Sequence, residues 1–139
     1  MDGYTTMKFA EFVYYYHHCD TKTPMQGFDT ETWRRLLVSY RNHSHTVMPS
    51  YFPDEPVAFM MIPITMPDLS KWVHDELRPY MTLKHPNKKH TAYRLKHIAE
   101  KEIGRYVCEG ELQAALARIG FPPCDHYPIS EKFFQAHNF

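Results

Sequence analysis

Residues 90–121 read HTAYRLKHIAEKEIGRYVCEGELQAALARIGF, and this stretch decides the fold class. Apolar side chains recur there at steps of three and four, the period of a helix with one buried face. The pattern predicts a helix over about 91–108, in which Gly104 would mark the close approach of a neighbouring element. A short helix, ELQAALARIG, follows and ends at Gly120. The apolar face of the longer helix consists of Leu95, Ile98, Ala99, Ile103, Tyr106 and Val107.

Helical spacing also predicts further helices on both sides of this stretch. Residues 5–18 carry an apolar stripe, although the aromatic and β-branched residues of FVYYY leave a strand as the alternative. Asp29 can cap a second helix, Asp68 begins a third, and Ser130 can cap a last one.

The fold class that follows is mainly α, with about five to six helices. The length of 139 residues suits one domain, 1–139, with one compact core. We expect Trp33, Trp72 and Ile103 to share that core, because each lies on the apolar stripe of its helix.

The central segment, about 43–67, has a different character. Prolines interrupt it repeatedly, so no regular helix can run through it. Its apolar run VAFMMI, 57–62, predicts an extended path or a short β element, since a strand needs a partner for its backbone.

Composition limits the class of protein. The 16 basic and 16 acidic residues cancel, which argues against a protein that coats DNA. Three widely spaced cysteines do not suggest a disulfide framework, so we expect a cytoplasmic protein. No apolar run is long enough to span a membrane and no signal peptide is recognised, so we expect no membrane partner.

The most suggestive surface feature is a row of basic residues that begins in the turn KHPNKKH and follows the helix opposite its apolar face. Such a row could contact phosphates or an acidic protein surface, and the plain alternative is a solvated helix face. The predicted partner-binding residues are Lys84, Lys88, Lys89, His90, Arg94, His97, Lys101 and Arg105.

Catalytic and metal-binding patterns are weak, so we predict no catalytic residue, no metal and no cofactor. Cys124-x-His126 and His43-x-His45 have ligand chemistry but lack the spacing of a zinc site. Cys108 would lie at a helix carboxyl end, where the dipole disfavours a thiolate. CDHYPIS only partly matches an HNH nuclease motif. A helix-turn-helix over 102–120 would place small apolar residues where base contacts are needed.

The stretch 90–121 resembles a recurrent segment of small uncharacterised proteins from bacterial phages and mobile elements. The resemblance rests on Tyr-x-x-Lys-His-x-x-Glu, Gly-x-Tyr-Val, Gly-Glu-Leu and a Gly-aromatic end, which here are Tyr93, Lys96, His97, Glu100, Gly104, Tyr106, Val107, Gly110, Glu111, Leu112, Gly120 and Phe121. It covers less than a quarter of the chain. It implies a short accessory protein of the kind that includes anti-CRISPR inhibitors of host defence.

Two functions are therefore expected. The first is a non-enzymatic interaction protein that binds and occludes a host protein or ribonucleoprotein in the bacterial cytoplasm. The alternative is a small nucleic-acid-binding regulator that uses the basic row. Exposed aromatic residues beside the row, such as Tyr14 to Tyr16, would favour a protein interface.

Overall fold

The computed structural model describes residues 3–25, 28–42, 46–47, 64–65, 67–107 and 109–138. Within these ranges the fold is mainly α, as predicted, with six α-helices. Their bounds are α1 Gly3–His18, α2 Thr30–Asn42, α3 Pro67–Trp72, α4 Ala92–Ile103, α5 Glu109–Arg118 and α6 Glu131–Ala136.

The third helix continues beyond its regular part. A π-helical segment, Val73–Leu77, and a 3₁₀ turn, Arg78–Tyr80, follow α3 directly along the chain. One buried stripe runs through α3 and the π-helical segment, formed by Leu69, Trp72, Val73 and Leu77, whereas the 3₁₀ turn has no buried residue.

The fourth helix ends earlier than the sequence predicts. Thr91 caps α4, its hydroxyl accepting the Arg94 main-chain N–H at 3.2 Å, and the helix stops at Ile103. Gly104 is its C-cap, with a left-handed φ of 85° and no atom within 4 Å of a Cβ placed there. The predicted helix to 108 and the close neighbour of Gly104 are both wrong, because the glycine supplies a backbone conformation and not space.

Two apolar clusters make up the described core. One contains Trp72 and packs α3, α4, α5 and α6 together, with Ile103 at its edge. The other contains Trp33 and packs α1 and α2 against α5. The expectation that both tryptophans share one core with Ile103 is therefore wrong.

Helix α5 contributes to both clusters. Leu112 and Leu116 face the first, whereas Ala114 and Ala117 face the second. Small side chains on the second face let α1 approach closely, and His18 reaches the Ala117 carbonyl at 3.1 Å. This sharing is consistent with one domain, which stays a prediction.

A two-residue antiparallel ladder accompanies the helices. Thr46–Val47 pairs with Ile64–Thr65, Thr46 opposite Thr65 and Val47 opposite Ile64. This ladder lies within the central segment, 43–67. The run VAFMMI, 57–62, for which a short β element or an extended path is predicted, lies outside the described residues, so that expectation stays a prediction.

The last helix is capped as predicted. The Ser130 hydroxyl accepts the Lys132 main-chain N–H at 3.3 Å. Phe133 and Phe134 then enter the cluster around Trp72. Across the described ranges, no helix is long and apolar enough to cross a membrane.

Candidate functional site

The structure divides the predicted basic row into exposed and engaged members. Arg94, His97 and Lys101 lie on the exposed side of α4. Lys84, Lys88 and Lys89 are exposed on the preceding turn, 84–90, here called the basic turn. His90 and Arg105 make internal contacts instead, so the row is interrupted between the turn and α4 and is shortened at its last residue.

His90 is buried, with 7% of its surface exposed, and the prediction that it lies on the exposed row is wrong. Its ring stacks on Phe134 with centroids 3.7 Å apart and planes 13° from parallel. The Arg94 guanidinium lies 2.9 Å from Nδ1, and because it can only donate, Nδ1 is the acceptor. Nε2 lies 2.9 Å from a Glu131 carboxylate oxygen, in an orientation that falls short of a regular hydrogen bond. His90 thus joins α4 to α6.

Arg105 lies beyond the end of α4 and is held by two carboxylates. Its Nε and Nη2 donate to Asp68 at 2.8 and 2.9 Å, and Nη2 also donates to Glu111 at 2.6 Å. The Arg105 hydrogen bonds lower the pKa of Asp68, and the two carboxylates raise the pKa of Arg105. The sequence predicts that this guanidinium is available to bind a partner. In the structure its donors instead join α3 to α5.

A compact group of side chains, here called the tyrosine patch, lies at the middle and end of α4. It consists of Tyr93, Lys96, His97, Glu100 and Tyr106. The ammonium group of Lys96 lies over the rings of Tyr93 and Tyr106, 5.6 and 4.6 Å from their centroids, and pairs with Glu100. Lys96 is only 6% exposed, whereas Tyr93 and Tyr106 are 58% and 71% exposed.

Further contacts hold the tyrosine patch in place. His97 Nδ1 donates to Glu100 at 3.1 Å, and its ring meets Tyr93 edge to face with centroids 4.6 Å apart. Glu100 also accepts the Val107 main-chain N–H at 3.3 Å, which fixes the loop that carries Tyr106. Burial would raise the pKa of Glu100, but the hydrogen bonds from Lys96, Val107 and His97 lower it overall.

The patch was only partly foreseeable. Sequence reasoning placed Tyr106 on the apolar face and assigned Lys96 no role. The useful signal was the Tyr-x-x-Lys spacing, which puts Tyr93 and Lys96 one turn apart on a helix. The contact with Tyr106 depends on the turn at Gly104.

Tyr14, Tyr15 and Tyr16 of α1, whose exposure would favour a protein interface, are half-buried. Tyr15 donates to the Thr23 carbonyl at 3.1 Å, and Tyr16 packs edge to face on Tyr40 at 4.9 Å. Burial raises the pKa of Tyr40 to about 12, so this phenol stays protonated beside His17, 3.0 Å away. The exposed aromatic residues beside the basic row are therefore Tyr93 and Tyr106.

Other chemistry considered from the sequence finds little support in the described part of the chain. In those ranges, no three or more His, Cys, Asp or Glu side chains form a group that could hold a metal ion. Burial raises the pKa of the Cys124 thiol, which lies 3.1 Å from the His126 carbonyl. Helix α5 buries Glu111 and Gln113, so it has no surface for reading DNA bases. His43, His45 and Cys108 lie outside the described residues.

A cavity of about 520 Å³ separates α4 from the end of α6. His97, Lys101 and Glu102 line its α4 side, and His137 lines the other. His137 Nδ1 donates to the Phe133 carbonyl at 2.8 Å, and Nε2 lies 3.2 Å from Glu102. The Glu102–His137 contact joins the two sides of the cavity, and Lys101 is an exposed lysine of its lining.

Comparison of the chain with protein-family models, curated proteins and solved structures gives no match.

Proposed function

We propose that the protein is a non-enzymatic interaction protein, encoded by a phage or mobile element, that binds and occludes a host protein or ribonucleoprotein in the bacterial cytoplasm. The observation that carries this proposal is the exposure of Tyr93 and Tyr106 beside the cations of α4. An inhibitor of host defence, as anti-CRISPR proteins are, would act in this way.

The two rings have the properties of interface anchors. A tyrosine buries roughly 150–250 Å² when a partner covers it, and tyrosine is enriched among the residues that dominate binding energy. The contacts with Lys96 and His97 restrict both rings before binding. Restricted side chains lose less entropy on association, so more of the contact energy appears as affinity.

The cations beside the rings would add selectivity. His97 and Lys101 follow Tyr93 at steps of four on α4, so the three side chains lie along one line of the helix surface. An acidic partner would be steered toward this line, and its aromatic or apolar groups would then cover the rings. Lys101 forms no salt bridge with any residue of the described ranges.

We also propose that the protein is not an enzyme. The support is that the charged and thiol groups considered below make structural contacts or stay protonated. Arg105, Glu111 and His90 link helices to one another. The raised pKa of Cys124 keeps its thiol protonated and a poor nucleophile.

The alternative is a nucleic-acid-binding regulator. The observation in its favour is the exposure of Lys84, Lys88 and Lys89 together with Lys101. The inward contacts of His90 and Arg105 shorten the row that would follow a phosphate backbone, so we favour the protein interface.

Affinity capture from a bacterial host lysate, with and without nuclease treatment, separates the two functions. We expect a protein partner that stays bound after nuclease digestion. Loss of every partner on digestion would favour the nucleic-acid regulator instead.

A further inference from the structure

We propose that a groove beside the basic turn receives an acidic protein segment that carries an apolar side chain. This inference rests on the proposed function and names the chemistry of the partner at the lysines assigned to binding. The groove is open to solvent and has a volume of about 600 Å³. Its wall includes Leu83, Lys84, Pro86, Lys88, Lys89 and Glu131.

The groove is rigid because Asn87 fixes the basic turn to the chain before α6. The side-chain amide of Asn87 donates to the Ile129 carbonyl at 2.9 Å and to Glu131 at 2.8 Å. Its side-chain oxygen accepts the Lys89 main-chain N–H at 3.1 Å, and its own N–H donates to Tyr127 at 3.0 Å. A surface held in this way pays little ordering entropy when a partner binds.

The charge of the groove suits an anionic partner. Three lysines face one glutamate, and none of these lysines forms a salt bridge in the part of the chain that the structure describes. Glu131 is already engaged by Asn87 and His90. An acidic segment would therefore meet a net positive charge, since three lysines share the groove with one carboxylate.

The apolar part of the groove favours a protein segment over nucleic acid. Leu83 is one of the exposed large hydrophobic residues, and Pro86 is exposed beside it. Single-stranded nucleic acid gains affinity by stacking its bases on aromatic rings, and the described residues that line this groove include the imidazole of His85 but no Phe, Tyr or Trp. An apolar side chain between acidic residues would cover Leu83 and Pro86 while its neighbours met the lysines.

The test is fluorescence anisotropy with the full chain and three labelled probes. The first is a short peptide of aspartate and serine with two central leucines. The second is the same peptide with serine in place of the leucines, and the third is an oligothymidine of equal net charge. We expect the leucine peptide to bind at least tenfold more tightly than either of the others.

Variants assign the binding to the groove. Lys84→Ala with Lys88→Ala, and separately Leu83→Ser, should each weaken the leucine peptide at least fivefold. Lys132→Ala removes an exposed lysine of α6 outside the groove wall and should change nothing. Circular dichroism spectra identical to that of the unaltered chain would show that these surface changes leave the fold intact.

Three results would overturn the inference: no peptide binding, equal binding of the two peptides, or tighter binding of the oligothymidine. None of them would remove a nuclease-resistant partner captured from lysate. Conversely, the proposed function would fail if capture gave no such partner even though the leucine peptide bound.

Discussion

Arg105 donates two hydrogen bonds, of 2.8 and 2.9 Å, to the carboxylate of Asp68, which lies 37 positions earlier in the chain. The same guanidinium pairs with Glu111, whose side chain is only 4% exposed. Three segments therefore meet at one side chain: the start of α3, the loop after α4, and the first turn of α5.

Arg105→Ala should lower the free energy of unfolding by about 2–4 kcal/mol, because it leaves the buried Glu111 carboxylate without its cation. The value lies below that of a fully buried pair since Arg105 itself is partly exposed. Urea unfolding measures the change. Lys101→Ala is the matched control, with an expected change within about 0.5 kcal/mol. Equal stability of the two variants would contradict the role given to Arg105.

The Asp68 contact also predicts a dependence on pH. The hydrogen bonds from Arg105 lower the pKa of Asp68 in the folded state below its ordinary value of 3.8. The unfolded chain thus binds the proton more readily, so this stabilisation is present above that value and is lost as the pH falls below it. Urea midpoints measured from pH 6 down to about pH 3 should fall less steeply for Asp68→Asn than for the unaltered chain. Parallel curves would contradict the prediction.

The position of Gly104 has space for a side chain, but its backbone conformation disfavours any residue other than glycine. A Cβ meets no atom within 4 Å, yet the φ of 85° is unfavourable for residues other than glycine. Gly104→Ala should therefore cost about 1 kcal/mol, and Gly104→Asn should cost less because asparagine adopts this conformation more readily. Thermal unfolding of the two variants compares them directly. A larger loss for asparagine would indicate that space, and not backbone conformation, selects the glycine.

The helices could be predicted because their apolar residues follow the helical period. The stripe of α3, the Ser130 cap of α6 and the mainly α fold were all readable in this way. The helical period of apolar residues does not show where a helix ends. The predicted helix continues through Gly104, whereas in the structure Gly104 ends α4. Because the predicted helix runs past Gly104, the predicted positions of Arg105 and Tyr106 on that helix are wrong as well.

The site was harder to predict because contacts between distant segments decide which polar residues are exposed. The spacing assigns His90 to the basic row. In the structure its ring stacks on Phe134 of α6, which lies far away along the chain. Lys96 has no role in the sequence-based predictions, yet two tyrosines and Glu100 cover it in the structure. Spacing along α4 predicts the neighbours on the same helix, Tyr93 and Glu100, but contains no information about Tyr106 or Phe134.

The tyrosine patch is the centre of the proposed interface, and its substitution is the most direct test of it. We would compare a chain carrying Tyr93→Ala and Tyr106→Ala with the unaltered chain for affinity toward the protein captured from host lysate. Val38→Ser, which alters an exposed apolar residue of α2, is the control. We expect affinity at least tenfold weaker for the double variant, unchanged affinity for the control, and unchanged helical content in both. Equal affinity of the double variant and the unaltered chain would contradict it.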